Sequence, residues 1–592
     1  MQKIQGAIGF TIPVQTLTNS KEVKLTPAEV MAWQKRLPSD LGQSAKKIYH
    51  LICDCNKVSL EPKDRFEILE LIDTSVQYIC RSLSKHYVHQ TSALTAQQLT
   101  IANLAETLQE QMADGYKLVV EHSTNTPDSL TPLDPTTLSI ALHKIIQYFA
   151  QIILISYELY SLPPKGIWRE LHLAYQYAEK KSLLKNNTLE DEYKRILVLA
   201  ATYPYQRRQN EQLAVYKAAE VWSNKIILRR DLPNASDPGF LVVDFEEDKP
   251  PMFLARGLIK LSSSCKVLDV QSLLHHLKTL MTAIEPNELQ ARINHNEDPE
   301  YAVPSTVLRS IIKGWEMPLS RLNDRATRDE KVQICIGFLS THFYLNGQRP
   351  FQQQPTNEGS ENFTLTFSTL SVQEDNLEAT ALNSATVPTS ALPQETEKAI
   401  AYPLYPCTLV SESLHGYGLL WPGNTYPPMQ SGEIVGLAMD EQGNRVWEVC
   451  AIRWLLHLAE ADFKIGLERL SKNAIAAAAQ LIKDGKASGY CARCLILEST
   501  LLVPAFPFKA GSHIILISDN NPRQEVELTK LIDSTGTYNQ FQYNVRHKPT
   551  DAAIPVQPTP SSSSSSSSSL AAIPPKGPEK GDDIFDSVWP NL

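Results

Sequence analysis

Two short stretches of this chain carry side chains suited to holding an anion. The first is Arg321-Leu322-Asn323-Asp324-Arg325, followed by Arg328, just ahead of an alternating apolar run. A guanidinium presents a planar fork of donors, and two of them four residues apart can converge on one ligand if the backbone curls between them. Such forks pair bidentately with phosphate or with guanine O6 and N7, and they stack on a purine face. The second stretch is Ser411-Glu412-Ser413-Leu414-His415-Gly416. The hydroxyls of Ser411 and Ser413 can hydrogen-bond base or phosphate groups, while Gly416 permits a tight turn and close approach of backbone to ligand. R-x-x-x-R alone recurs by chance and S-x-S-x-x-G is weaker still. Their order, and the strand-like run that borders each, make the pair informative.

The elements that must position these residues read as strands. Val332, Ile334, Ile336 and Phe338 alternate, and Tyr417, Leu419 and Trp421 do so again after the serine turn. EIVGLAM and VWEVCAIRWLL flank a hairpin signal at Glu441-Gln442-Gly443-Asn444, and FKIGLERL places Phe463, Ile465 and Leu467 on one face. Several short strands joined by tight turns predict a closed antiparallel barrel over residues 315–480. It is interrupted at 346–398 by a polar insertion that is expected to be disordered, because it cannot bury enough apolar surface to offset its chain entropy. The Ala-rich stretch NAIAAAAQLI reads as a helix leading into a second small β region over 481–546, with HIILIS and EVELTKLI as its clearest strands. Residues 547–592, with nine consecutive serines and an acidic-apolar end, DDIFDSVWPNL, read as a disordered tail.

Ahead of the barrel, a segment over 1–25 precedes a helical domain over 26–235, where apolar residues recur at three- and four-residue spacing. Asp134-Pro135 is the expected start of its most apolar helix. The run from Ile145 to Tyr160 contains Gln147, Gln151 and Glu158 and is short for a membrane span, so it reads as a buried core helix. Trp168, Leu171 and Tyr175 match the opening of a tetratricopeptide repeat. No 34-residue period surrounds them, so a generic helical array offering a surface to another protein is the reading. Residues 236–314 form a mixed α/β connector in which GFLVVDFEEDKPPMFL makes two strands around a turn. The fold class is therefore multidomain α+β.

Composition narrows the function. Across 592 residues the hydrophobic share is 42% and the charged share 20%, with a net charge of −9. This opposes a broad nucleic-acid footprint but leaves room for a small anion met by two or three arginines. The N-terminus lacks the apolar core of a signal peptide, and nine scattered cysteines fit a reducing cytoplasm. Cys491 and Cys494 have C-x-x-C spacing but lie in an apolar strand-like run, and Cys53 and Cys55 fall in an amphipathic helix. Adjacent His275 and His276 face different directions on a helix and make poor co-ligands, so no metal is expected. No Walker loop, H-E-x-x-H or G-x-S-x-G motif is present, and no enzyme is expected.

Taken with the closing strands VCAIRW and FKIGLERL, the arginine segment and serine turn make the stretch from about Trp315 to Leu470 resemble a PilZ domain. The resemblance implies a bacterial, non-enzymatic receptor for cyclic di-GMP, with Arg321, Arg325, Arg328, Ser411, Ser413 and Gly416 as ligand contacts and no further cofactor. Two departures stand out. Ser411 occupies the position where the family usually has Asp or Asn, and the serine turn lies unusually far along the chain from the arginines. The helical half is expected to contact a protein effector, with no DNA or RNA partner and no membrane insertion. The alternative is a degenerate PilZ-like scaffold that binds protein partners without nucleotide.

Overall fold

The computed structural model describes residues 2–17, 20, 23–39, 41–88, 96–125, 133–184, 188–231, 238–254, 262–316, 326–349, 351, 402–423, 426–441, 444–458, 463–483, 485–518 and 521–546. Arg321 and Arg325 therefore lie outside the described residues, as do nearly all of the 346–398 insertion and the 547–592 tail.

A short hairpin, β1 (Lys3–Gln5) and β2 (Thr11–Pro13), leads into eight helices: α1 (Pro27–Gln34), α2 (Leu41–Lys57), α3 (Pro62–Ser84), α4 (Ala96–Asn125), α5 (Pro135–Glu158), α6 (Ile167–Lys180), α7 (Thr188–Ala201) and α8 (Gln209–Trp222). Local chemistry sets several boundaries. Asp134 caps α5 by accepting from the Thr136 and Thr137 amides, and Pro135 occupies its first turn, as the sequence predicts. The N-terminus of α6 has no cap of its own. Asp248, distant in sequence, accepts from the Gly166, Trp168 and Arg169 amides at 2.5, 3.1 and 3.2 Å. Among the described residues, α5 is the one helix long and apolar enough to cross a membrane, and most of it is buried among its neighbours. Trp168, Leu171 and Tyr175 are buried on α6 as packing residues.

The connector forms a four-stranded antiparallel sheet in the order β3 (Ile227–Arg229), β6 (Cys265–Asp269), β4 (Phe240–Asp244), β5 (Met252–Phe253), then α9 (Gln271–Ile284), α10 (Glu288–Asn294) and α11 (Ser305–Glu316). The predicted pair of strands within GFLVVDFEEDKPPMFL is β4 against β5. His276 Nε2 and the Trp222 indole N–H both meet Glu300 Oε1 at 2.6 Å, which ties the connector to α8.

The first barrel comprises β7 (Ala326–Ile336), α12 (Phe338–Leu345), β8 (Tyr405–Ser413), β9 (Gly416–Trp421), β10 (Ile434–Glu441), β11 (Asn444–His457) and β12 (Phe463–Ser471). Its strands close in the order β7-β8-β9-β12-β11-β10. Phe338, which the alternation assigns to the strand, instead opens α12, because Gly337 at φ 97° breaks the ladder there. The second barrel contains β13 (Ile475–Lys483), β14 (Lys486–Ile496), β15 (Leu501–Pro504), β16 (His513–Ser518), β17 (Asn521–Ser534) and β18 (Tyr538–Val545), closed as β13-β14-β15-β18-β17-β16. Both barrels thus share one connectivity: the first strand pairs with the second and the fourth, and the third with the sixth.

The Ala-rich stretch corrects the sequence reading. It is strand β13, not a helix, and the second barrel opens at Ile475 rather than at 481. Alanine prefers helix, but Ala477 and Ala479 are buried inside a narrow barrel where larger side chains would not fit, and tertiary packing overrides local propensity. Cys491 and Cys494 lie on β14 as free thiols, and no metal-binding cluster occurs among the described residues.

One apolar core runs from the helical domain through the connector into the first barrel, and the second barrel has its own. A smaller cluster, including Ile434, Val449, Leu495, Leu502 and Tyr538, joins the two barrels. Polar links fasten the remaining seams. Arg208 at the start of α8 donates to the Ser431 carbonyl of the first barrel at 3.2 Å and to the Thr535 carbonyl of the second at 2.5 Å. His342 Nε2 on α12 meets the Ala477 carbonyl at 3.0 Å.

Two buried histidines give this fold a pH dependence. Burial holds His172, set between the Tyr193 hydroxyl and the Lys249 carbonyl, down to about 4, and does the same to His342. Both values lie below the ordinary 6.5, so the stability these groups contribute is full above that pH and is lost as pH falls toward 4. Calorimetric unfolding should lose roughly 3 kcal/mol per site over that interval. His172→Gln should flatten the decline, and an equally steep loss in the variant would count against His172 as a source.

Candidate functional site

The outer half of β7 extends past the core of the first barrel. Residues 326–331 are exposed, whereas Val332 and Ile334 are buried. Across the ladder, Ala326 pairs with Glu412 and Thr327 with Ser411, and the register then shifts before Glu330 pairs with Leu409. That shift is a bulge containing Arg328 and Asp329. Bulges free a residue from regular pairing and re-aim its side chain, and here Arg328 turns back so that Nε and Nη2 both reach Glu412 Oε2, at 3.1 and 2.9 Å. The predicted turn falls at the β8–β9 hairpin, where Ser413 Oγ donates to the Gly416 carbonyl at 3.1 Å.

The glycines here have packing reasons. A Cβ on Gly416 would collide with the Leu467 carbonyl of β12, and one on Gly418 would lie 2.5 Å from Ser411 Oγ. Gly416 therefore lets β9 approach β12 as the barrel closes, in addition to serving the turn.

Sequence reasoning missed the group beneath the turn. Arg469, on β12, stacks over the Tyr417 ring with its guanidinium 4.5 Å from the centroid. It donates to Glu448 Oε2 at 2.9 Å, to the Leu414 carbonyl at 3.0 Å, to Glu412 Oε1 at 3.3 Å and to the Tyr417 hydroxyl. Tyr417 in turn donates to Glu448 Oε2 at 2.7 Å, and Lys472 lies 3.6 Å from Glu448 Oε1. Burial and its bond to Glu448 push the Tyr417 phenol well above its usual range, which keeps the hydroxyl a donor. The one signal available in sequence was Arg469 itself, a cation inside FKIGLERL.

Arg328, Arg469 and Lys472 are thus each paired with a carboxylate, but the pairs differ in strength. Arg328 and Glu412 are partly exposed, and such surface pairs contribute about 0–1 kcal/mol. Glu448 is buried, and removing one partner of a buried pair costs about 3–5 kcal/mol. Arg328 is consequently free to exchange its partner for another anion, whereas Arg469 is committed to the barrel. Arg328 on β7 thus lies against Glu412 at the open end of the barrel, Ser411, Ser413 and Gly416 lie on the adjoining β8–β9 hairpin, and Ala326, the residue after Arg325, pairs with Glu412.

Comparison with known proteins divides the chain in three and takes the connector together with the first barrel. The family model for the N-terminal domain of the cyclic-di-GMP receptor FimW matches residues 28–233, the model for its middle PilZ domain matches 240–475, and the model for the FimW C-terminal β-barrel domain matches 477–546. The curated cyclic-di-GMP receptor FimW of Pseudomonas aeruginosa is 25% identical over 630 residues, an alignment that covers 99% of this chain and 99% of that one. No solved structure matches.

Arg469→Ala should destabilise the protein by about 3 kcal/mol, the low end of the range because Lys472 still offsets part of the Glu448 charge. Arg328→Ala should change stability by less than about 1 kcal/mol. Denaturant titration of both variants checks the ranking, and equal losses would remove the distinction between the two arginines.

Proposed function

This chain belongs to the PilZ-domain family and has the three-part build of FimW, and from that premise we propose that it is a non-enzymatic cytoplasmic receptor for cyclic di-GMP. The nucleotide binds at the mouth of the first barrel, and the helical domain contacts a protein effector. The observation that carries this reading is the β7–β8 register. It pairs Ala326, the residue after Arg325, with Glu412 of the serine turn, despite the long stretch of sequence between them.

Electrostatics assign the roles. The described cations of the mouth already have carboxylate partners, so the attraction for a dianionic ligand rests on Arg321 and Arg325, which bring two guanidiniums against the single carboxylate of Asp324. They supply bidentate donors to phosphate or to guanine O6 and N7. Arg328 joins them by leaving Glu412, an exchange whose cost is small. Ser413 supplies the hydroxyl usual in the family, and Ser411 offers a short hydroxyl donor where a longer Asp or Asn usually stands, which moves hydrogen bonding toward the strand backbone.

A second reading, a scaffold that binds protein partners without nucleotide, draws support from the same pairing: Glu412 and Glu448 occupy cations that an anionic ligand would need. Calorimetric titration of the full chain with cyclic di-GMP separates the two. Under the receptor reading the wild type binds at micromolar concentration or below, and Arg321→Ala with Arg325→Ala weakens binding at least a hundredfold at unchanged melting temperature. Glu412→Gln, which removes the competing carboxylate, should tighten binding about two- to fivefold. Undiminished affinity in the double arginine variant refutes the assigned site, and no heat in the wild type selects the scaffold.

A further inference from the structure

A half-open cleft of about 700 Å³, part of it solvent, lies in the helical domain between α3, α4, α5 and α8, far in sequence from the barrel mouth. Glu158, the last residue of α5, lines it. The side chain is buried, its carboxyl makes no hydrogen bond or ion pair among the described residues, and burial alone lifts it to about 8. Tyr87 shares the lining close enough for the Glu158 charge to raise its phenol further. Gln109 Oε1, near the Cys80 thiol, and Gln77 Nε2, near the Tyr148 hydroxyl, are buried without a well-formed hydrogen bond. On the same lining Arg81, in the last turn of α3, and Lys85, which caps its C-terminus, are exposed.

Packing does not account for an acid at this position. Glutamine has the same shape and no ionisable group, and a buried carboxyl without a partner carries a desolvation penalty of several kcal/mol when charged. The neighbouring Gln109 and Gln77 amides lie against the Cys80 thiol and the Tyr148 hydroxyl in geometry short of a full hydrogen bond, which leaves Gln109 Oε1 capacity for a further donor. Unpaired titratable groups in a cleft are candidates for binding sites when geometry supports them.

The arrangement of charge specifies the ligand. Inside, Glu158 and Gln109 Oε1 are acceptors suited to a group with several N–H donors. Outside, Arg81 and Lys85 are cations that would repel a simple amine and attract an anion. We propose that this cleft binds a small zwitterion of the amino-acid class, its ammonium or guanidinium seated on Glu158 and Gln109 and its carboxylate facing Arg81 and Lys85. The site is independent of the nucleotide mouth and stands whether or not the barrel binds cyclic di-GMP.

Seating a cation on Glu158 converts a protonated carboxyl into a carboxylate, so at pH 7 the complex releases close to one proton. Calorimetric titration of the full chain with L-arginine, L-lysine and γ-aminobutyrate, each in two buffers of different ionisation heat, reads affinity and proton release together. Agmatine, which keeps the guanidinium of arginine without the carboxylate, tests the outer cations. The expected result is binding of at least one zwitterion with proton release, at least tenfold weaker binding of agmatine than of arginine if arginine is the zwitterion bound, and loss of binding in Glu158→Gln. That variant removes a buried acid, so it should melt no lower than wild type. Arg81→Ala with Lys85→Ala, both exposed, should weaken the zwitterion at least fivefold. No heat from any zwitterion, undiminished affinity in Glu158→Gln, or agmatine binding as tightly as arginine would each overturn the proposal.

Discussion

Closure of the first barrel is the constraint on which the candidate mouth depends. To close, β7 must pair with β8 along one edge and β10 along the other, and the buried faces of Val332, Ile334, Leu409 and Leu437 fix both registers. A slip of one residue would turn each of these side chains outward. The same register sets Ala326 against Glu412, so burial deep in the barrel determines which residues meet at its exposed end. The long insertion between α12 and β8 does not disturb this. Loop-closure entropy grows with the logarithm of length, and each doubling adds only about 0.6 kcal/mol, little beside the apolar area that closure buries.

The shared connectivity of the two barrels makes the chemistry of the first easier to read. In the second, the place equivalent to the mouth is the start of β13 beside the β14–β15 turn, where Ser471 Oγ donates to Glu498 Oε1 at 2.9 Å. No arginine lies in the segment 472–475 or in the turn 497–500. The shared backbone framework therefore does not by itself bring arginines to this end of a barrel; Arg321 and Arg325 in the preceding sequence and the bulge at Arg328 distinguish the first barrel from the second. What the second barrel contributes in the described structure is a seam, apolar at Ile434, Val449, Leu495 and Tyr538, and polar where Thr535 and Thr537 donate to the Gly432 carbonyl at 2.8 and 2.6 Å.

Much of this architecture was legible because local and global preferences agreed. Asp134-Pro135 is both a cap and a helix start, and the alternation of Tyr417, Leu419 and Trp421 in β9 puts all three side chains in the core, whereas β10 and β11 are buried on both faces. The Ala-rich strand was illegible by propensity, since helix preference and barrel burial oppose each other there. A better signal stood just after it in Lys483-Asp484-Gly485-Lys486, a two-residue hairpin turn with Gly485 at φ 75°. At the mouth, the sequence motifs pointed to Ser411, Ser413, Gly416 and Arg328; the folded chain sets the bulge at Arg328 beside the strand and hairpin that carry the other three. They could not disclose Arg469, Tyr417 and Glu448, because those residues meet only through the pairing of β9, β11 and β12, and no spacing within one segment encodes that contact.

The two faces of β12 carry the last step. Arg469 reaches into the mouth, while its neighbour Glu468 binds Arg453, which in turn meets Asp533 of the second barrel at 2.9 Å. Successive strand residues point to opposite faces, so one short strand borders both the mouth and the seam. An event at the mouth is felt at the seam only if the ligand has different affinity for two arrangements of that strand. The commitment of Arg469 to buried Glu448 opposes such movement from within the barrel. The exchangeable elements are Glu412 and Arg328, which lie above β12 and outside the core. Glu412 joins the two sides, its Oε2 bonded to Arg328 of the β7–β8 ribbon and its Oε1 to Arg469 of β12, so one partly exposed carboxylate ties the exchangeable arginine to the committed one.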